Sequence, residues 1–186
     1  MVKMMMRRDD VADRFVREAL LDCFDDRIGS LFVKRPLDGY QVISFGWATT
    51  TPWHSPREVT EAELAERLAS LAAKLDPDQP AIFNFHDPPA RSGLDMAYKM
   101  TGDMKVEMAG GQAMLAPVGS TAVRDLIERV QPVLSLHGHI HESRASRKIG
   151  RTLAVNPGSS YTEGVLQGAI VSMKGSKVTG HQLVTG

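Results

Sequence analysis

Hydrophobic and polar positions along the chain follow two periods, one typical of helices and one typical of strands. Three helices are predicted from apolar residues at helical spacing, over residues 10–24, 60–75 and 120–130. Thr60 and Glu63 have the spacing of a capping box at the start of the second helix. Ser120 is a favoured N-cap for the third helix, and Pro132 marks its end.

Short runs of β-forming residues predict strands between and after these helices. The predicted strands cover residues 40–47, 81–86, 133–136, 147–149, 152–155, 165–172 and 177–184. The apolar run at 81–86 stops before Pro88 and Pro89, a pattern typical of a buried strand. This mixed order, ending in a β-meander, predicts an α/β or α+β layered fold in a single domain over residues 1–186.

Residues 87–118 are the least regular part of the chain, because glycines and prolines interrupt them repeatedly. We predict a long loop or lid here. Met96, Met100, Met104 and Met108 recur every four residues within it, which is the spacing of one helix face. We interpret them as a broken helix packed on the core, and a substrate-facing methionine surface is the alternative.

Charge and cysteine content narrow the class of function. The 22 Lys plus Arg residues balance the 22 Asp plus Glu residues, so the net charge is zero. This balance argues against a nucleic-acid partner or an anionic membrane, and a small-molecule partner is expected. Cys23 is the single cysteine, which excludes an intrachain disulfide and favours a reducing compartment. No apolar stretch approaches the roughly 20 residues of a membrane-spanning helix, so we expect a cytoplasmic protein.

Histidines are concentrated after two of the predicted strands. His137, His139 and His141 alternate, so on an extended backbone their imidazoles would project from one side. Neutral imidazoles are good ligands for divalent ions. His86 ends the predicted 81–86 strand, and parallel strands end at the same edge of a sheet, so we expect it to join the others in one metal site. Taken alone, His86 could equally be structural.

Neighbouring polar residues are candidates for supporting roles. Asp87 lies directly beside His86. The sequence Asn-Pro-Gly-Ser at 156–159 is first of all a turn signal. Its alternative role is to bring Ser hydroxyls and backbone N–H groups near an oxyanion bound to a metal.

Three elements, in this order, resemble the calcineurin-like metallophosphoesterases. They are Asn84-x-His86 before Pro-Pro, Gly-His-Ile-His at 138–141, and the Asn-Pro-Gly-Ser turn. The resemblance implies an αββα sandwich with mixed sheets, a dinuclear centre of Mn, Fe or Zn, and hydrolysis of phosphoric esters by a metal-activated hydroxide. It implies that His86 and His139 bind one ion and His141 the other. The residues expected behind the ligands or against the substrate are Asn84, Asp87, His137, Asn156 and Ser159.

The chain departs from that family ahead of His86. The family's Asp-x-His, Gly-Asp-x-x-Asp and Gly-Asn-His or Gly-Asn-Asp elements have no match there, and Gly102-Asp103 is out of order. Arg8 stands where the metal-binding Asn of the third element would be. The chain therefore resembles an N-terminally incomplete domain without the carboxylate that bridges two ions, and we expect it to bind one divalent ion or none.

Three functions are open from the sequence. The first is a metal-dependent phosphoesterase acting on a small phosphorylated substrate, whole only when an upstream segment or a partner chain supplies the missing carboxylates. The second is a non-catalytic, truncated or degenerate domain that self-associates through an uncovered sheet edge. The third is a mononuclear zinc hydrolase with His86, His139 and His141 as ligands and Asp87 or Glu142 as base.

Overall fold

Fifteen strands and two α-helices make up the computed structural model, which describes residues 3–6, 35–37 and 39–186. The predicted helix at 10–24 lies outside these residues. The strands are β1 (Lys3–Met6), β2 (Arg35–Leu37), β3 (Tyr40–Phe45), β4 (Ala48–Thr49), β5 (Glu58–Val59), β6 (Ala81–Phe85), β7 (Met96–Tyr98), β8 (Met108–Ala109), β9 (Gln112–Ala113), β10 (Leu115–Pro117), β11 (Leu134–Leu136), β12 (Ala145–Ile149), β13 (Thr152–Asn156), β14 (Gln167–Lys174) and β15 (Lys177–Thr185). The helices are α1 (Glu61–Ala72) and α2 (Thr121–Val130), and a 3-10 turn covers Tyr161–Glu163.

A six-stranded mixed sheet forms the centre of the fold, in the order β12-β13-β11-β6-β3-β2. The four inner strands β13, β11, β6 and β3 run parallel, and the two outer strands pair antiparallel to their neighbours. The carboxyl ends of the four parallel strands therefore lie along one edge of the sheet. In layered folds with parallel strands, this is the edge where binding sites gather.

Both described helices begin where the sequence predicts, because polar side chains cap their first turns. Thr60 Oγ1 accepts from the Glu63 N–H at 3.3 Å, and the Thr60 N–H donates to Glu63 Oε2 at 2.9 Å. This reciprocal pair is the predicted capping box. Ser120 Oγ accepts from the Val123 N–H at 3.1 Å and so caps α2. Neither helix, in the described part of the chain, has the length and apolar character to cross a membrane.

The central sheet is covered on both faces, which explains why its inner strands are almost continuously apolar. Ile43, Phe83 and Phe85 face the helices and pack with the buried leucines of α1 and the apolar face of α2. The alternate residues, such as Ile82 and Leu134, face a second sheet. Side chains on a strand alternate between faces, so adjacent residues serve two separate cores.

The second sheet has the order β1-β14-β15, with β1 parallel to β14 and β15 antiparallel to it. Ala169 and Val171 of β14 are buried against the central sheet. The predicted C-terminal strands are confirmed as two hairpins, β12–β13 in the central sheet and β14–β15 in the second. Helices, central sheet and second sheet thus form successive layers, and the α+β layered fold class is confirmed.

The broken helix predicted within residues 87–118 is wrong, and four short strands interrupt the predicted long loop. Leu115 pairs with Tyr98 between β10 and β7, and β8 and β9 form a hairpin. Met104 has a φ of 61°, which no continuous helix allows, and it is 42% exposed. Met108 is 57% exposed, so the methionines do not share one buried face. Strand pairing across the segment overrides the helical spacing of its methionines.

Candidate metal centre

Three predicted ligand histidines lie where parallel strands of the central sheet end. His86 directly follows β6, while His139 and His141 lie in the segment that leaves β11. The Gly138 N–H donates to the carbonyl oxygen of His86 at 3.1 Å. The His86 N–H in turn donates to the carbonyl oxygen of Phe45, at the end of β3, at 2.9 Å. Backbone hydrogen bonds therefore hold the three strand exits beside one another.

The structure brings the imidazoles of His86 and His139 together. His86 Nε2 lies 3.2 Å from His139 Nδ1, and the ring centroids are 4.9 Å apart at an interplanar angle of 66°. Two of the three imidazoles expected in one site therefore lie together. Nitrogens bound at about 2.0–2.1 Å to one ion lie roughly 2.8–3.4 Å apart in octahedral or tetrahedral geometry. The separation of the two nitrogens fits a shared divalent ion.

His141 lies close enough for its charge to affect His86, but it makes a different ring contact. Its imidazole packs against Tyr161 with centroids 5.5 Å apart and an interplanar angle of 85°. Within residues 39–186 and the described backbone before them, no three His, Cys, Asp or Glu side chains are gathered as a metal-binding group. The assembled part of the candidate centre is the His86–His139 pair, with His141 beside it.

Both paired imidazoles favour the neutral form. Part of His86 is exposed, yet desolvation by the protein around its ring lowers its pKa, and the charges of His139, His141 and Arg57 lower it further, to about 4. Desolvation also lowers the pKa of His139, and the Glu58 carboxylate opposes that shift. At neutral pH the ring nitrogens therefore offer lone pairs, which is the form that binds metal ions.

The expectation that His137, His139 and His141 project from one side is wrong, because the backbone leaves the extended conformation after β11. His139 has a φ of 62°, in the left-handed region that a residue with a side chain rarely adopts. His137 is buried: its Nδ1–H donates to the Asp87 carbonyl at 2.9 Å and its Nε2 accepts from Ser135 Oγ at 2.8 Å. Burial lowers the pKa of His137 to about 4, so it is a neutral bridge between the two strand exits.

Asn156 holds the histidine-bearing segment in this conformation. It is fully buried at the end of β13, and its Nδ2 lies 3.2, 3.2 and 2.9 Å from the carbonyl oxygens of Leu94, Gly138 and Ile140. Its Oδ1 accepts from the Gly158 N–H at 2.9 Å. The amide thus contacts the backbone on either side of His139 and positions that residue without touching its ring.

The Asn-Pro-Gly-Ser turn supports His141 through its backbone. The Ser159 N–H donates to the carbonyl oxygen of His141 at 3.1 Å. Gly158 has a φ of 72°, and a Cβ there would lie 2.9 Å from that same carbonyl oxygen and 2.7 Å from Gln167 Oε1. Both the conformation and the close approach require glycine at this position. The turn signal in the sequence is therefore also a packing element of the site.

Asp87 is adjacent to His86 in sequence but points into the protein. Its side chain is 1% exposed, and its Oδ2 accepts from the Thr49 N–H at 2.8 Å and the Thr49 hydroxyl at 2.9 Å. Its Oδ1 is buried and has no hydrogen-bond partner among the described residues. Burial raises the pKa of Asp87 to about 6, and the bonds from Thr49 offset only part of that shift.

The remaining predicted site residues lie apart from the paired imidazoles. Asn84 donates from Nδ2 to Ser44 Oγ at 3.2 Å, on the neighbouring strand β3. Glu142, the other candidate base, is exposed. The sequence placed the histidines at the strand ends correctly. The Ser159 contact, however, is made by its backbone N–H and not by its hydroxyl.

Two charged residues near the histidines, Arg57 and Glu58, were not among the site residues predicted from the sequence. They end a loop that leaves the β3 exit and contains Pro52 and Pro56. Their charges act on His86 and His139, respectively. A proline-flanked polar loop after a third parallel strand was the available signal, because that strand ends at the same edge as β6 and β11.

Glu58 is expected to keep this loop folded only while it is ionised. Desolvation raises its pKa, but hydrogen bonds from the side chains and backbone of Ser55 and Thr51 outweigh that effect and lower the pKa to about 2. Because the folded pKa lies below the unfolded value, the stabilisation is present above about pH 4.5 and is lost as the pH falls toward about 2. An acid titration followed by the NMR signal of the Trp53 indole should show this transition. Glu58→Gln should remove it, whereas Glu66→Gln should not; an unchanged transition in Glu58→Gln would contradict the assignment.

The chain has relatives, but none of them assigns a family. No family model matches it. The uncharacterized protein MJ1162 of Methanocaldococcus jannaschii is 28% identical over 125 residues, which cover 66% of this chain and 50% of that protein. The chain therefore spans about half the length of this curated relative.

Two crystal structures share a distant likeness. The match to the first covers 97% of this chain and 63% of the other chain, with a TM-score of 0.48 and 18% sequence identity. The second is TT1561 of Thermus thermophilus. The match to it covers 79% of this chain and 52% of the other chain, with a TM-score of 0.41 and 21% sequence identity.

Proposed function

We propose that this chain carries part of a metal-dependent phosphoesterase, which hydrolyses small esters of phosphoric acid. The observation that carries the proposal is the pair of neutral imidazoles, His86 and His139, with nitrogens 3.2 Å apart at the carboxyl edge of the sheet. The resemblance of the flanking sequences to calcineurin-like metallophosphoesterases supports the same reaction.

His86 and His139 would hold a divalent ion of Mn, Fe or Zn, with His141 as the third candidate ligand. Such an ion would supply Lewis acidity toward a phosphoryl oxygen and make water acidic enough to ionise near neutral pH. The protein's own part is positional: Asn156 fixes the backbone around His139, and His137 joins the two strand exits. Held in this way, the ring nitrogens need little rearrangement when they bind an ion.

A complete dinuclear centre needs carboxylates that the three matching sequence elements do not contain. We propose that another segment or a partner chain supplies them, in keeping with the half-length coverage of the archaeal relative. Self-association through an exposed sheet edge and a cytoplasmic location stay predictions.

Hydrolysis of an aryl phosphate by the chain, assayed together with the segment or partner chain that supplies the carboxylates, tests the proposal. We expect turnover that depends on added Mn²⁺, Fe²⁺ or Zn²⁺, stops with a chelator, and falls at least about 100-fold in His86→Ala. His181→Ala is the matched control, because His181 lies on the second sheet and bonds to Ser146 Oγ. A hydrolysis rate that a chelator leaves unchanged would contradict the metal-dependent reaction. Metal binding without turnover, for every ion tried, would favour the non-catalytic alternative.

A further inference from the structure

A loop closed at both ends lies beside the candidate centre. Strands β4 and β5 pair in parallel, and the 50–57 loop connects them. The Ala48 N–H donates to the Arg57 carbonyl at 3.1 Å, and Thr50 Oγ1 donates to the Val59 carbonyl at 3.3 Å. Compact loops with adjacent ends, packed by their own side chains, frequently carry function.

The interior of the 50–57 loop is organised by one carboxylate. Glu58 Oε2 accepts from the Thr51 N–H at 2.8 Å, and Glu58 Oε1 accepts from the Ser55 N–H at 3.0 Å. The hydroxyls of both residues donate to the same carboxylate. Because both ends and the middle are tied, the loop presents its other side chains in a defined arrangement.

The backbone of the 50–57 loop is strained at two residues. His54 has a φ of 48° and Arg57 a φ of 67°, both in the left-handed region. Such a residue is unfavourable and persists only where surrounding contacts impose it, and residues of this kind cluster at binding sites.

Arg57 lies over the exit of β3, next to His86. A Cβ at Gly46 would lie 3.6 Å from Arg57 Nη1, so the guanidinium reaches the residue that directly follows β3. The residue before it, Phe45, accepts the backbone hydrogen bond from His86 at 2.9 Å. Gly46 has no side chain that would separate the guanidinium from this part of the edge. The cation and the paired imidazoles therefore border the same surface.

We propose that Arg57 is a substrate-binding residue of this centre and holds the phosphoryl oxygens of the ester beside His86, an inference that rests on the proposed phosphoesterase function. A guanidinium presents N–H donors in a planar fork that matches two oxygens of a phosphoryl group. Arg57 supplies this fork and its positive charge at the edge of the centre, on a loop whose geometry is already set.

Binding of inorganic phosphate to the full chain, measured by calorimetry with and without Mn²⁺, tests this inference. Arg57→Gln should weaken phosphate binding and raise the KM for an aryl phosphate by roughly 10- to 100-fold. Arg57→Lys should recover part of the loss, because it restores the charge without the fork. Mn²⁺ affinity should not fall in either variant. Arg129→Ala is the matched control, because Arg129 is exposed in the last turn of α2, which precedes the opposite end of β11.

The outcomes separate the inference from the proposed function. Phosphate binding and KM that are unchanged in Arg57→Gln would overturn the role of Arg57 and leave the phosphoesterase standing. Phosphate binding that depends on Arg57, in a chain without turnover, would support the binding role and count against the reaction. A chain that binds no phosphate in the presence or absence of Mn²⁺ would overturn both. A fall in Mn²⁺ affinity in Arg57→Gln would show that the residue acts on the metal site instead.

Discussion

Replacing His139 with alanine is expected to abolish the rise in unfolding temperature that Mn²⁺ or Zn²⁺ gives the wild-type chain. A ligand at 100 times its Kd stabilises the folded state by about 2.7 kcal/mol. In a domain of this size that corresponds to roughly 5–10 °C. His139 supplies one of the two nitrogens that are already 3.2 Å apart. Without it, the remaining assembled ligand is His86 alone, and the metal-induced shift should disappear.

A second substitution at the same position separates ligation from backbone strain. His139 has a φ of 62°, which glycine adopts without the penalty that a Cβ imposes. His139→Gly should therefore stabilise the metal-free chain by roughly 1 kcal/mol and still lose the metal-induced shift. His181→Ala should keep the full shift. If His139→Ala retains the wild-type response to both ions, the paired imidazoles are not the metal site.

Asn156→Ala is expected to destabilise the metal-free chain by about 3–4 kcal/mol, equivalent to a fall in unfolding temperature of roughly 10 °C. The substitution leaves three carbonyl oxygens, those of Leu94, Gly138 and Ile140, without the buried amide that contacts them. The Gly158 N–H loses its acceptor as well. The Gly138 and Ile140 carbonyls keep the N–H groups of Ile140 and Ser143, at 2.7 and 3.3 Å, so the Leu94 carbonyl and the Gly158 N–H bear most of the loss. A buried polar group that loses its hydrogen bond and gains no water is costly.

Urea unfolding with chelator present measures this loss, and Asn84→Ala is the matched control. Asn84 is partly exposed and bonds to Ser44 Oγ, so its replacement should cost no more than about 1 kcal/mol. Asn156→Ala should also weaken metal binding, because the backbone on both sides of His139 is released. Similar stabilities for the two variants would show that the Asn156 amide does not organise the histidine segment.

That the segments bearing His86 and His139 leave the sheet at the same edge could be predicted, because this depends on topology alone. Parallel strands end at one edge of a sheet, and apolar runs followed by polar residues mark those ends in the sequence. The helical spacing of Met100, Met104 and Met108 was misleading because it holds only if the backbone is helical. Periodicity shows which side chains would share a face if the backbone were helical, but Met100 pairs with Val106 and Met108 with Ala113, which sets a different backbone.

Local sequence was sufficient for the two described helices, their caps and the strands that precede the histidines. Capping and periodicity act over three or four residues, so they can be read from neighbouring positions. The direction of each imidazole was decided by tertiary structure. Asn156 holds the backbone on both sides of His139 from another strand, and Glu58 shapes the loop that brings Arg57 to the β3 exit. Such contacts depend on which strands become neighbours, and no short stretch of sequence contains that information.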